Sequence, residues 1–156
     1  MLKKIISGGQ TGADQGALDA ARDCGFPYGG ALPAGRKTER GMLPQVYVME
    51  VLESDRYEDR TRRNVVDGDG TLILSHGPLS GGSGLTMNIA RQVGKPCLHI
   101  DFDTCTADQA VIEVSAWIDA ARISILNVAG PRASSDAEIY ACARTLIADL
   151  IRSTSR

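Results

Sequence analysis

Two glycine-rich segments of the sequence carry residue types and spacings that suit the binding of an anion. Residues 7–14 read SGGQTGAD and residues 75–86 read SHGPLSGGSGLT, and each segment follows an apolar run and precedes a helical pattern. Glycine lets backbone amides approach an anion closely because it has no Cβ. The start of a helix adds unpaired N–H groups and a partial positive charge. Two such turns in one small chain predict a bound molecule that bears phosphate or another oxyanion.

The first turn departs from the common nucleotide-binding motifs. Its glycine spacing is not that of GxGxxG, and no Gly-Lys-Ser/Thr follows as in a P-loop. Gln10 and Thr11 can reach a ligand while the backbone amides of the turn face it. Thr11 and Asp14 could also form a helix capping box, which is compatible with binding. We interpret Asp14 as a cap or an acceptor for a ligand hydroxyl rather than as a general base.

The second turn places three glycines within four residues, at positions 81, 82 and 84. Glycine costs conformational entropy on folding, so a loop that only connected two elements would rarely use three. Ser83 and Thr86 offer hydroxyl groups at the start of the following helix. A flexible surface turn is the alternative interpretation.

Two arginines and one histidine stand where further contacts to the same ligand are expected. Arg132 follows the last predicted strand, in residues 127–135, and Arg36 follows the second. A guanidinium offers a planar set of donors that suits an oxyanion, although either arginine could instead be solvated. His76 ends the fourth predicted strand, where it can contact a ligand. His99 lies within a strand pattern and is interpreted as structural.

The candidate site is therefore a binding site without catalytic or metal-ligating residues. We find no nucleophile–base–orienter set and no cluster of metal ligands in the sequence. The arginines of residues 56–63 alternate with acidic residues and are interpreted as a solvated helix face. The predicted ligand-binding residues are Gly8, Gly9, Gln10, Thr11, Gly12, Asp14, Arg36, His76, Gly77, Gly81, Gly82, Ser83, Gly84, Thr86, Asn88 and Arg132.

Composition excludes several classes of partner. The 156 residues include 17 basic and 19 acidic side chains, a formal charge of −2, so we expect neither nucleic acid nor a membrane as a partner. No apolar run approaches the roughly 18 residues of a membrane span, and the start of the chain leads directly into a strand pattern. We therefore expect a cytoplasmic protein. Cys24, Cys97 and Cys142 are interpreted as small core residues in a reducing compartment, and Cys105 as a loop thiol.

Alternating strand and helix patterns predict an α/β fold. Strands are predicted at Lys3–Ser7, Tyr28–Leu32, Val46–Leu52, Thr71–Ser75, Pro96–Asp101 and Ile123–Val128. Helices are predicted at Ala13–Cys24, Asp55–Val66, Leu85–Val93, Val111–Ala121 and from Ser135 to about Ile151, with capping boxes at Asp55/Glu58, Thr106/Gln109 and Ser135/Glu138. This order is typical of a doubly wound, mainly parallel sheet with helices on both faces. Residues 1–152 are expected to form one domain, residues 33–44 a long loop, and residues 153–156 a frayed tail.

Five stretches of the sequence resemble the molybdenum carrier protein family. They are residues 5–14, 60–65, 71–77, 81–83 and 127–132, and the run Gly-Gly-Gln-Thr-Gly-Ala-Asp is the most specific part. That family is similar to a wider Rossmann-like group, which includes lysine decarboxylase-like phosphoribohydrolases and the DNA-processing protein DprA. The resemblance implies a Rossmann-like sheet with a ligand site at its carboxyl edge, and a homo-oligomer (dimer or tetramer). It also implies that the protein holds molybdenum cofactor, a phosphorylated pterin with a dithiolene-bound oxometal.

One departure from the hydrolase branch bears on function. Those enzymes have a Gly-Gly-x-Gly-Thr-x-x-Glu pattern in which the glutamate acts on the N-glycosidic bond. Here Leu85 and Asn88 stand where the threonine and the glutamate would be. Asn88 cannot transfer a proton, so the 10²–10⁴-fold typical of acid–base catalysis would be missing. The resemblance therefore favours a binding protein over an enzyme.

The combined prediction is a carrier or storage protein that binds a phosphorylated small molecule. With a strand order near 3-2-1-4-5, the first and fourth strands would be neighbours, and both glycine-rich turns would flank one crevice. Two alternatives remain open. The protein could be a nucleotide-processing hydrolase that uses Asp14, Asp67 or Asp69 as its acid. It could also be an oligomeric adaptor that senses a nucleotide.

Overall fold

A five-stranded parallel sheet forms the centre of this computed structural model, which describes residues 1–154. Its strands are β1 (Lys4–Ser7), β2 (Tyr28–Gly29), β7 (Gly70–Ser75), β8 (Cys97–Asp101) and β9 (Ile125–Ala129). Beside this sheet, β3 (Ala31–Leu32) pairs in parallel with β6 (Glu50–Val51), and β4 (Lys37–Thr38) pairs antiparallel with β5 (Gly41–Met42). The apolar run of β7 is completely buried, as expected for a strand that is covered on both faces.

The order of the strands is β2-β1-β9-β7-β8, and all neighbouring pairs are parallel. The last strand of the chain thus lies between β1 and β7, with Leu126 opposite Ile5 and Val128 opposite Leu72. The predicted adjacency of the first and fourth strands is therefore wrong. The apolar character of a strand does not specify its neighbour, and the middle of β9 is buried like the strands beside it. The predicted third strand is reduced to β6, which lies outside the central sheet.

Helices cover both faces of the sheet. They are α1 (Ala13–Asp23), α2 (Tyr57–Asp67), α3 (Gly81–Val93), α4 (Ala107–Ala121) and α5 (Ile139–Thr154). α5 packs against α1 and α4, and these three helices share one core cluster with the sheet. α2 packs against α3 around Val65, Ile89 and Ala90 in a second cluster. The predicted α/β, Rossmann-like doubly wound fold is confirmed.

Two of the predicted helix ends are confirmed by their capping geometry. The side chain of Thr106 accepts the N–H of Gln109, and the Gln109 side chain accepts the N–H of Thr106, so the capping box before α4 is present. Gly94 ends α3 in the left-handed conformation, with φ of 72°.

The other two predicted capping boxes are wrong. α2 begins after Arg56, and the N–H of Arg56 is bound by the hydroxyl of Ser54 rather than by Asp55. α5 begins at Ile139, and the carboxylate of Asp136 accepts the N–H of Glu138. In both cases a polar side chain one position away from the predicted cap binds the free amide.

Two further segments differ from the sequence prediction. The long loop at residues 33–44 contains a 3₁₀ turn (Ala34–Arg36) and the β4–β5 hairpin. Ser153 and Thr154 belong to α5, while residues 155–156 of the predicted tail lie outside the described residues. Within residues 1–154, no helix combines the length and apolar character that a membrane span needs.

Candidate ligand-binding site

Three loops meet at the carboxyl edge of the sheet and enclose a cavity of about 190 Å³. They follow β1, β7 and β9, which are neighbours in the sheet, and α2 forms the remaining wall. Both glycine-rich turns therefore line one cavity, although β9 separates their strands. The predicted residues that line it are Gly8, Gln10, Asp14, Gly81, Gly82, Ser83, Thr86 and Arg132.

The side-chain amide of Gln10 has a fixed orientation in this cavity. Its Oε1 accepts the N–H of Thr11 at 3.1 Å and the N–H of Glu39 at 2.9 Å. Because an amide nitrogen cannot accept these bonds, they fix which end of the Gln10 amide is the nitrogen Nε2. Nε2 is buried and has no hydrogen-bond partner within residues 1–154. An unpaired buried donor costs about 1–3 kcal/mol, which a ligand oxygen would recover.

Arg60 and Asp14 form a buried pair on the wall of the cavity. Nη1 of Arg60 lies 3.7 Å from Oδ2 of Asp14 and donates to the carbonyl oxygen of Gly8 at 2.5 Å. Burial raises the pKa of Asp14 to about 6, although Arg60 and the N–H of Gln10 act in the opposite direction. Burial also lowers the pKa of Arg60. The pair thus supplies a cation and a carboxyl group that titrates close to neutral pH.

Three cationic side chains lie close to the ring of Tyr57, beside the cavity. The guanidinium carbons of Arg60 and Arg132 lie 5.2 and 5.4 Å from the ring centroid, and Nζ of Lys37 lies 4.5 Å from it. Such cations are attracted to the π electrons of the ring. The Arg132 side chain donates no hydrogen bond within residues 1–154, so its donors are available to a ligand. The cavity is therefore locally positive in a chain whose formal charge is −2.

α3 begins at Gly81, earlier than the predicted start at Leu85, so the glycines lie in the first turn of the helix. The first amides of a helix have no acceptor within it, and a helix N-terminus suits an oxyanion. Gly81 and Gly82 line the cavity, and a Cβ on Gly82 would meet nothing within 4 Å. Ser83 and Thr86 complete this wall, with Thr86 Oγ1 donating to the carbonyl oxygen of Gly82 at 2.9 Å.

Glu39 joins two of the three loops. Its carboxylate accepts the hydroxyl of Thr11 and both the hydroxyl and the N–H of Ser134, and Thr11 Oγ1 accepts the N–H of Ala133 at 3.0 Å. The hydrogen bonds from Ser134 and Thr11 lower the pKa of Glu39 to about 2. Hydrogen bonds to Glu39 therefore connect the loop after β1 with the loop after β9. Thr11 acts in this contact and does not line the cavity.

The remaining predicted binding residues lie outside the cavity. Gly12 has φ of +83°, and a Cβ on it would overlap the carbonyl oxygen of Pro131, so it allows two loops to pack closely. Asn88 is exposed on α3. The predicted residues that do not line the cavity are Gly9, Thr11, Gly12, Arg36, His76, Gly77, Gly84 and Asn88.

Arg36 requires a correction, because its guanidinium binds the chain itself. It is only 8% exposed and donates to the carbonyl oxygens of Leu43, Pro44 and Tyr47 at 2.8–3.0 Å. It therefore stabilises the segment after β3 rather than facing a ligand. His76 lies away from the cavity, with Nδ1 2.6 Å from the Asp136 carboxylate.

The sequence analysis missed the contribution of α2 to the cavity. Arg60, Thr61 and Asn64 line it, although Arg60 was assigned to a solvated helix face. Arg60 is 7% exposed, and Asn64, one turn later, binds the N–H and the carbonyl oxygen of Ala31 at 2.8 and 3.1 Å. Asn64 is uncharged and lies four residues after Arg60, and the apolar Val65 follows it. This pattern indicates that one face of α2 is buried, and it could have identified Arg60 from the sequence. The other lining residues are Ser80, Ser135 and the stretch 127–131.

The remaining candidate side chains lie elsewhere. His99 is bound to Ser75, with 2.6 Å between Nε2 and Oγ, which confirms its structural interpretation. The four cysteines are free and half-buried, and burial raises the pKa of Cys97 to about 11. Within the described residues, no three His, Cys, Asp or Glu side chains come together as a metal site.

Comparison with known proteins places the chain in a family. A family model described as the circularly permutated YpsA SLOG family matches residues 5–151. The chain belongs to this family.

The SLOG protein is also similar to a solved structure. It shares 47% identity and a TM-score of 0.94 with the crystal structure of a "Putative molybdenum carrier protein" from Syntrophus aciditrophicus, over 96% of this chain and 95% of that chain. The resemblance to molybdenum carrier proteins is thus confirmed. None of the curated proteins matches the chain.

Proposed function

We propose that this SLOG protein binds a phosphorylated small molecule in the cavity and holds it as a carrier or storage protein. The observation that carries the proposal is Gln10, which lines the cavity and whose buried Nε2 is a fixed donor without a partner within residues 1–154. Arg60, Arg132 and the first amides of α3 surround the same space. Charged hydrogen bonds of this kind contribute about 1.5–3 kcal/mol each, so three would support micromolar binding, about 8 kcal/mol.

Molybdenum cofactor is the proposed cargo, because the similar Syntrophus protein is named as a molybdenum carrier. The donors fit the phosphate end of this molecule. The cavity of about 190 Å³ is smaller than the roughly 300–1,000 Å³ of common small-molecule sites, so the pterin would extend beyond its enclosed part. Among residues 1–154, no cysteine or histidine lines the cavity, and the dithiolene of the cargo would therefore keep the metal.

One observation favours the catalytic alternative. Asp14 lines the cavity with a pKa raised to about 6, and a carboxyl group with such a pKa can act as a general acid near neutral pH. Asp14 could therefore supply the acid that the related hydrolases take from their glutamate, a position at which this chain has Asn88. Incubation with a panel of nucleoside monophosphates separates the two functions. Sustained release of free base, lost in Asp14→Asn, would establish the hydrolase and exclude the carrier.

Native mass spectrometry of freshly purified protein tests the carrier directly. We expect a retained small molecule, with phosphorus and molybdenum found in the released fraction. Protein that carries no mass beyond its own chain, and that binds no added pterin monophosphate, would contradict the proposal.

A pair of glycine variants locates the binding site. Gly82→Val places a side chain in the open space of the cavity wall, so we expect at least a tenfold loss of affinity for a fluorescent pterin monophosphate. Gly84→Val is the matched control, because its Cβ also meets nothing within 4 Å but Gly84 does not line the cavity. Both variants should fold, as circular dichroism would show. Equal affinities in the two variants would remove the start of α3 from the site.

The proposal includes a homo-oligomer, dimer or tetramer, in the cytoplasm. Sedimentation velocity measures the assembly state, and the presence of a nucleoside monophosphate in the same experiment tests the adaptor alternative. A change in sedimentation with the nucleotide would favour the adaptor. An unchanged coefficient with bound ligand would favour the carrier.

A further inference from the structure

A second group of reactive side chains lies outside the cavity, between the end of β7 and the first turn of α5. Nδ1 of His76 is 2.6 Å from Oδ2 of Asp136, and its Nε2 is 3.9 Å from Sγ of Cys142. Asp136 and Cys142 are 60 and 66 positions from His76, so no local pattern indicates that they lie close together. The sequence analysis did not identify these three side chains as a group.

The two ends of the His76 ring have different partners. In the neutral ring, an N–H at Nδ1 that donates to Asp136 leaves Nε2 as an acceptor. Nε2 lies 3.9 Å from Sγ of Cys142 and also 3.9 Å from Oε2 of the exposed Glu138. The hydrogen bond to Asp136 raises the pKa of His76 above its usual value, and the carboxylates of Asp103 and Glu138 act in the same direction. Asp101 is the other carboxylate near this ring. Asp136 thus fixes both the orientation and the basicity of the imidazole.

Cys142 rests as a thiol rather than a thiolate. Burial raises its pKa, and the carboxylates of Asp136 and Glu138 raise it further. Its proton must therefore be removed during reaction, and Nε2 of His76 is positioned to accept it. A hydrogen bond of this kind is often long in the free protein and shortens when a reactant binds.

An apolar cavity of about 230 Å³ opens beside the thiol. Phe102, Leu146 and Cys142 contribute to its lining, and the ring centroid of Phe102 lies 5.7 Å from that of His76. Asp149 is the charged side chain among the lining residues. With several carboxylates and an apolar wall around it, the thiol is suited to a reactant that is small, apolar and uncharged.

We propose that Cys142, His76 and Asp136 form a covalent site for uncharged α,β-unsaturated carbonyl compounds with a small apolar substituent. Sγ of Cys142 attacks the β-carbon, so that a C–S bond forms while the C=C π bond breaks and its electrons move toward the carbonyl group. His76 accepts the thiol proton at Nε2 and returns it to the α-carbon. The atoms balance without another reactant. Cys142 and His76 are the reacting groups, and Asp136 is a positioning residue.

N-ethylmaleimide is a suitable probe because it is an uncharged unsaturated carbonyl compound with an ethyl group. Peptide mass spectrometry would follow alkylation of all four cysteines of the full chain at pH 7.5. We expect Cys142 to react at least tenfold faster than Cys105. His76→Gln should slow Cys142 at least tenfold, since general bases contribute 10²–10⁴-fold, while the rate of Cys105 stays unchanged.

The pH profile distinguishes a positioning role of Asp136 from a merely structural one. The Cys142 rate should rise with pH as His76 loses its proton, with a midpoint above 6.5. Asp136→Asn removes the carboxylate that raises the pKa of His76, so the rate should fall and its midpoint should move to lower pH. Glu138→Gln is the control, because that side chain is 83% exposed and should change the midpoint less.

Several outcomes would overturn the proposal. Cys142 could react no faster than Cys105, or at the same rate in His76→Gln. If His76→Gln fails to fold, the wild-type pH profile decides, because a Cys142 rate that follows thiol ionisation alone excludes the base. Iodoacetate gives a further test, since the carboxylates should make it react more slowly with Cys142 than the neutral iodoacetamide does, relative to Cys105. Equal preference at both cysteines would contradict the selectivity.

Discussion

Gln10 accepts two backbone N–H groups and also lines the cavity, and a nearly isosteric variant can separate a structural role from the proposed role in binding. Gln10→Glu keeps oxygens that accept the N–H groups of Thr11 and Glu39 but replaces the donor at Nε2 with an anionic oxygen. We expect the affinity for a pterin monophosphate to fall at least tenfold, because a charged hydrogen bond is lost and a repulsion is gained. Fluorescence titration measures this affinity.

The control for this variant is Gln92→Glu, which adds the same charge to an exposed position of α3. Its affinity should match that of the wild type. If Gln10→Glu also bound normally, the amide of Gln10 would have no part in binding.

Asp14 predicts a pH dependence of anion binding. Its pKa is about 6, so the carboxylate loses its charge as the pH falls from 7 to 5, which removes a repulsion and releases Arg60 from its ion pair. We expect sulfate, whose charge is constant over this range, to bind several-fold more tightly at pH 5 than at pH 7.5. NMR titration measures the affinity. Asp14→Asn should bind equally at both values, and a persistent pH effect in that variant would assign it to another group.

Individual residues of the site were predictable to different degrees. Gln10 and Arg132 belong to loops at the ends of strands, where local sequence indicates ligand contact. Arg60 and Glu39 reach the site only through the packing of α2 and of the β4–β5 hairpin. Arg36 has the same residue type as Arg132, but three carbonyl oxygens of its own segment bind it. Local sequence does not contain these distant partners.

At the level of elements, the turn between β1 and α1 depends on contact with the turn between β9 and α5. Gly12→Ala would place a Cβ against the carbonyl oxygen of Pro131, at a backbone conformation (φ 83°, ψ −127°) that suits glycine alone. We expect the free energy of unfolding to fall by about 3 kcal/mol or more, since strain and overlap add. Urea denaturation measures this loss.

Gly35→Ala is the matched control for the turn. Gly35 also has positive φ, at 76°, but a Cβ there would meet nothing within 4 Å. Only the conformational cost applies, about 1 kcal/mol. Similar losses in the two variants would mean that the contact with Pro131 is unimportant for stability.

The start of α3 shows where sequence reasoning about elements fails. Glycine in a helix costs about 1 kcal/mol relative to alanine, and the sequence analysis predicts an anion-binding turn at residues 81–84 with the helix only from Leu85. The structure instead includes them in the helix, with Gly81 and Gly82 on the cavity wall. Glycine propensity describes helix interiors, whereas a first turn can place free amides beside a ligand. The capping box at Thr106 was predictable because both of its partners are local.

For the whole molecule, the sequence predicts the number and type of the layers but not the strand order. β9 has the same apolar pattern as β1 and β7, and only its pairing with both places it in the centre. The consequence is that three loops, rather than two, surround the cavity. The third loop contributes Arg132 and the stretch before it.

A shortened chain tests the importance of this central strand. A chain of residues 1–121 lacks β9 and α5, and β1 and β7 pair with β9 rather than with each other. We expect it to lose cooperative unfolding and all affinity for a pterin monophosphate. Denaturation followed by circular dichroism measures the first property. A sigmoidal transition with native-like helix content would show that the two halves of the sheet can pair without β9.

The central position of β9 also sets the timing of assembly in the cell. A ribosome makes both glycine-rich turns long before it reaches residue 125, yet the strand that brings them together is still untranslated. A nascent chain at that stage has the binding sequences without a binding site. Under the proposed carrier function, cargo would therefore be loaded only after synthesis of this strand, when the central sheet is complete.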